Sequence, residues 1–125
     1  MFTCYDINRG EVMKIVKCKN GNISIVLKEI EDVSEKVIKS NSVDAAFEKH
    51  VPMYNIVGDK VEVYVNHVME EDHYIEWILV DYGDSYFIKE FKPGDEPKVI
   101  VDYKTGMKAY SYCNKHSLWV CEDIK

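Results

Sequence analysis

Val61, Val63 and Val65 alternate with Glu62, Tyr64 and Asn66. A period of two fits one regular structure, a strand with one buried and one wet face. The same signal recurs along the chain. Tyr74–Val80 is rich in aromatic and β-branched residues, and Ser85–Phe91, Lys98–Tyr103 and Lys108–Cys113 read as further strands. Turn chemistry separates them: Gly58-Asp59, Gly83-Asp84, Pro93-Gly94-Asp95 and Thr105-Gly106. Short strands at this spacing predict an all-β protein, an antiparallel β-sandwich. No long amphipathic helix is legible; Ser42–Lys49 predicts a short helical turn at most, with Ser42 able to cap it.

The first forty residues have a different texture. Glu11–Cys18 and Asn22–Ile30 predict a hairpin around Asn20-Gly21, a strong turn dipeptide. Glu31–Ser40 is charged and poor in strand formers, so the chain divides into a small β appendage, 1–38, and a larger domain, 39–125. At 125 residues the chain is long enough for one real core. Its longest apolar run is far too short for a membrane-spanning helix, and MFTCYDINRG lacks the basic start and apolar stretch of a signal peptide. A cytoplasmic location is the expectation.

Two further bulk properties narrow the function. The formal net charge is −6, which argues against a nucleic-acid partner, because a phosphate backbone needs a basic patch. The four cysteines, in a reducing compartment, read as thiols or metal ligands rather than disulfides.

The four histidines, His50, His67, His73 and His116, all lie in the larger domain. His116 follows Cys113 by three residues, a spacing at which both side chains can reach one metal from a tight turn. His67 and His73 bracket a loop between two strands. By parity, His67 shares a face with Val61, Val63 and Val65, and His73 with Ile75, Trp77 and Leu79, so both imidazoles are expected on the apolar side. A single histidine is more often a surface or hydrogen-bonded core residue than a ligand. The combination of a Cys-x-x-His and a paired His-x5-His points to a metal site, and spacing alone does not separate iron from zinc.

The residues around these histidines carry a resemblance. Glu48-Lys49-His50-Val51-Pro52 resembles the EKHVP motif of superoxide reductases, and His67 through Trp77, HVMEEDHYIEW, is similar to their HPMEExHYIEW motif. Lys92 through Pro97 matches their KPGDxP turn, Cys113 through Trp119 resembles their CNxHGxW motif, and Asn41 through Ala46 fits their NTVDAA segment. The motifs occur in order over roughly residues 39 to 121, and the chain is identified as a member of the desulfoferrodoxin/superoxide reductase family.

The resemblance implies an immunoglobulin-like sandwich and a mononuclear non-haem iron held by His50, His67, His73, His116 and the thiolate of Cys113. The implied reaction is one-electron reduction of superoxide to hydrogen peroxide, with two protons taken up. Four neutral imidazoles and one thiolate leave a ferrous site near +1, a local attraction for an anion within a negative protein. At ~6 Å and an effective dielectric of ~20 such a pair is worth roughly 3 kcal/mol, about a hundredfold in occupancy. Lys49 is implied to add positive charge and order a water for proton delivery, and Glu48 to occupy the sixth position of oxidised iron. A solvated lysine and a surface carboxylate are the plain alternatives. Glu70, Glu71 and Asp72 read as a solvated loop, and Tyr74 and Trp119 as packing. The backbone N–H groups of Asn114 and His116 are expected to bond the Cys113 sulfur. A rubredoxin-like protein is the implied electron donor, and a homodimer the implied assembly. A non-catalytic iron or electron-transfer protein and a structural zinc domain are the competing functions.

The sequence departs from the family pattern in three places. Val68 stands where proline is usual and Ser117 where glycine is usual; if Ser117 needs positive φ, serine costs on the order of 1 kcal/mol. Many family members carry an N-terminal desulforedoxin-like module with an iron on four cysteines. Here only Cys4 and Cys18 precede the larger domain, so residues 1–38 are expected to be a degenerate module without its metal. Cys121 is expected to be a free thiol.

Overall fold

The computed structural model describes residues 14–17, 23–26, 41, 45, 49–122 and 124–125. The chain forms two compact units, Met1–Lys39 and Ser40–Lys125. In the first, β1 (Lys14–Lys17) pairs antiparallel with β2 (Ile23–Val26), Lys14 opposite Val26 and Lys17 opposite Ile23. Both strands fall within the stretches anticipated for a hairpin; the Asn20-Gly21 turn itself lies outside the described residues, as do Cys4 and Cys18. Most of the short turn expected over Ser42–Lys49 also lies outside them.

The second unit is built from two antiparallel sheets. β3 (Met53–Val57), β4 (Lys60–Tyr64) and β7 (Lys98–Asp102) form one, in the order β3-β4-β7. β5 (Ile75–Asp81), β6 (Tyr86–Glu90), β8 (Lys108–Cys113) and β9 (Ser117–Cys121) form the other, in the order β6-β5-β8-β9. No α-helix occurs among the described residues, and none is long and apolar enough to cross a membrane. The all-β expectation therefore holds. Two strands escaped it, β3 and β9, because neither shows a clean alternation of apolar and polar residues.

The alternating valines do what their period requires. Val61 and Val63 on β4, with Val99 and Val101 on β7, face Ile78, Val80, Ala109 and Cys113 of the opposite sheet across one core. The β3–β4 connection is two residues long, with Gly58 at φ 65°, the backbone of a type II′ turn that only glycine adopts without strain at that position.

A bulge changes the face assignment at the start of β5. The register shifts between Ile75, opposite Cys113, and Trp77, opposite Tyr112. Cys113 and Tyr112 are neighbours and point to opposite faces, so Ile75 faces the core while Trp77 stacks on Tyr112 outside it, ring centroids 5.4 Å apart. The parity that grouped His73 with Trp77 and Leu79 fails here, because the bulge adds one residue. His73 goes with Ile75.

Candidate metal centre

Antiparallel pairing brings the candidate ligands to one end of the sandwich. Met53, at the start of β3, pairs with Tyr64 at the end of β4, and Ile75, at the start of β5, pairs with Cys113 at the end of β8. His50 lies just before β3, His67 just after β4 and His73 just before β5. Cys113 ends β8 and His116 sits in the three-residue turn to β9. The residues between β4 and β5 thus cross from one sheet to the other, carrying a histidine at each side of the crossing.

The five side chains converge. One ligand atom from each of His50, His67, His73, Cys113 and His116 lies within 4.8 Å of all the others. The imidazoles form a closed cycle of edge-on neighbours: His50–His67, His67–His73, His73–His116 and His116–His50, with ring centroids 4.6–5.1 Å apart. Cys113 Sγ lies 3.5 Å from His67 Nε2 and 3.8 Å from His116 Nδ1. Cys113 is fully buried and His50 nearly so, while the other three histidines are partly exposed.

Three features of this cluster fit a metal ion. First, His73 Nε2 is buried without any hydrogen-bond partner, a costly state for a polar atom. Second, His50 Nε2 and His116 Nδ1 stand 3.0 Å apart; a metal ~2.1 Å from two imidazole nitrogens at right angles sets them about 3 Å apart. Third, the Nδ1–H of His67 donates to the Val68 carbonyl, which fixes the tautomer and leaves Nε2 with a free lone pair toward Cys113. Burial lowers the His67 pKa against the opposing bond to Val68, the other three histidines reinforce the fall, and the net shift favours the neutral, ligating form.

The sulfur environment is mixed. Burial pushes the Cys113 thiol up, and backbone N–H groups of Lys115 and His116 pull it down. The expected donation from Asn114 is corrected: its backbone N–H goes instead to the Tyr74 carbonyl, 3.2 Å, because the turn points it at the neighbouring loop.

Sequence reading missed the supports behind the ligands. Ser111 Oγ, fully buried, donates to the His50 carbonyl at 2.7 Å. Its parity with Ala109 and Cys113 on β8 places a hydroxyl in the core, a signal available in the sequence. Trp119, expected to pack, stacks on His50 at 4.9 Å and donates its indole N–H to the His116 carbonyl at 2.9 Å. Lys49 is exposed beside His50, and Glu48 lies outside the described residues.

An antiparallel sandwich with four imidazoles and a buried cysteine sulfur gathered at one end defines a candidate mononuclear metal protein. The chain belongs to the desulfoferrodoxin family, whose model matches residues 42–122. A desulfoferrodoxin homolog of Archaeoglobus fulgidus is 39% identical over 87% of this chain and 96% of its own length. A superoxide reductase of Pyrococcus horikoshii is 34% identical over 58% of this chain and 83% of its own. The crystal structure of the superoxide reductase from Treponema pallidum matches with a TM-score of 0.63 at 25% identity, covering 86% of this chain and 98% of that one.

Proposed function

We propose that this chain is a superoxide reductase, which reduces superoxide by one electron to hydrogen peroxide with uptake of two protons. The observation that carries the reading is the convergence of His50, His67, His73, His116 and Cys113 within 4.8 Å in a member of this family. These five residues would hold the iron. Bound there, iron supplies the electron by passing from the ferrous to the ferric state.

The chain's own residues do the rest. Four neutral imidazoles and one thiolate would cancel only one of the two charges of a bound ferrous ion, so the loaded site would draw an anion. With Cys113 buried on the inner side and His67, His73 and His116 partly exposed, a small molecule approaches from the side away from the sulfur. Lys49, exposed next to His50, adds charge at that entrance and orders water for proton delivery. Glu48, which lies outside the described residues, would offer a carboxylate to the oxidised iron. One iron stores one electron, so turnover needs an external donor; a rubredoxin-like protein fits, and we read the protein as a homodimer. Residues 1–38 we read as a desulforedoxin-like module that has lost its metal, since Cys4 and Cys18 are too few for a four-cysteine site.

The test is the visible spectrum of anaerobically purified, iron-loaded protein before and after mild oxidation. A thiolate-to-ferric charge-transfer band that appears on oxidation and is absent in Cys113→Ser is the expected result, followed by rapid reaction of the reduced protein with superoxide. Iron bound without such a band removes the reductase reading. A preference for zinc that ferrous reconstitution does not reverse leaves the structural zinc alternative.

A further inference from the structure

The side chain of Asn114 belongs to neither sheet and ligates nothing, yet it joins the two segments that carry most of the cluster. Its Nδ2–H₂ donates to the Asp72 carbonyl at 2.9 Å, and its Oδ1 accepts the Tyr74 N–H at 3.0 Å. Its backbone N–H donates to the Tyr74 carbonyl at 3.2 Å. These three bonds grip the backbone on both sides of His73 from the Cys113–His116 turn. On the other side, His73 exchanges both backbone bonds with Glu70, at 2.9 and 3.2 Å. The peptide units around His73 are therefore tied from both directions, and its unpartnered Nε2 is held in the cluster.

The identity of the residue matters to this grip. A carboxamide offers a donor and an acceptor at one chain length. Aspartate would lose the donor to Asp72, serine is too short, and alanine loses both bonds. Backbone conformation does not demand asparagine either, for among the described non-glycine residues only Asn41 and Ser117 have positive φ. The turn tolerates other residues at 114, and the clamp does not.

We propose that Asn114 is a positioning residue for His73, setting the distance between that imidazole and the Cys113–His116 pair. The proposal rests on the reading of the five residues as iron ligands. Partners behind metal ligands typically tune affinity by about 10–100-fold, and Asn114 belongs in that range.

The test compares ferrous-iron affinity and the oxidised charge-transfer spectrum in the parent, Asn114→Ala, Asn114→Asp and Lys108→Ala, the last a control at the far end of β8. Affinity is expected to fall about tenfold or more in Asn114→Ala, less in Asn114→Asp, and to hold in Lys108→Ala. The Cys113-dependent band should persist in all of them but shift in the Asn114 variants. In a His73→Ala background the Asn114→Ala loss should vanish, because the clamp then has nothing to place. Undiminished affinity with an unshifted band in Asn114→Ala overturns the proposal, as does a loss that persists without His73. If Asn114→Ala does not fold, parental affinity and spectrum in Asn114→Asp overturn it equally. A parent that binds iron without the band is a failure of the site reading instead.

Discussion

Cys113 and Ser117 pair directly across the β8–β9 hairpin, and Ser117 stands at φ 67°. Ser117 is the first residue of β9, directly after the three-residue turn, and a left-handed backbone there favours glycine. Serine there carries backbone strain of about 1 kcal/mol. Ser117→Gly should therefore stabilise the protein by roughly 0.5–1 kcal/mol, part of the relief being offset by the freer unfolded chain. Denaturant unfolding at unchanged m-value measures it. Because Cys113 is the pairing partner, an unaltered charge-transfer band in the same variant would show that the strain is local to Ser117.

Ser111 ties β8 to the backbone of His50, 61 positions away in sequence. Both groups are buried, so Ser111→Ala removes a buried hydrogen bond to the His50 carbonyl. Loss of a buried partner costs about 1–3 kcal/mol, and the expected fall in unfolding free energy lies in that window. Ser111→Cys keeps a weak donor of similar shape and should lose less. Equal stability of Ser111→Ala and the parent would mean that water replaces the hydroxyl.

The metal set was legible because ligands are named by chemistry: few residue types bind metals, and the order of the surrounding motifs identified the family. The valine period on β4 revealed a strand because one face is wet. β5 hid its register for the opposite reason. Trp77, Ile78, Leu79, Val80 and Asp81 are all buried, so no alternation betrays which residues face the core, and the bulge at its start moved His73 by one. β9 reads SLWVC, whose Leu118, Trp119 and Val120 are likewise buried in a row. The Asn114 clamp and the Ser111 bond were hidden because hydrogen bonds across dozens of positions depend on the finished fold.

Tyr110 gives the protein an alkaline limit. Burial, aided by Asp81, Glu122 and Tyr86, pushes its phenol from 10.0 up to about 12. Between those values the unfolded chain releases a proton that the folded chain retains, so stability falls as pH rises through that interval. Below about pH 10 both states are protonated and the contribution is fully present. Tyr110→Phe should flatten this alkaline decline without abolishing it, since burial also raises Tyr82, Tyr86 and Tyr112. Denaturant midpoints measured from about pH 9 to 12 check it; parallel curves for variant and parent would place the alkaline loss elsewhere.

Lys49 offers the sharpest separation between a reactive centre and a merely occupied one. It is exposed, adjoins His50 in sequence, and sits in a protein of net charge −6, whose overall field opposes an anionic substrate. Its removal leaves every candidate ligand in place. Lys49→Ala should therefore bind iron and show the parental charge-transfer band, yet react with superoxide on the order of tenfold more slowly at low ionic strength. Added salt screens exposed charges, so the gap between parent and variant should narrow as ionic strength rises. Lys49→Arg keeps the charge and should retain most of the rate. A gap that salt does not narrow, and that arginine does not close, would assign Lys49 to proton delivery rather than attraction, while identical rates at every salt concentration would remove it from the reaction altogether.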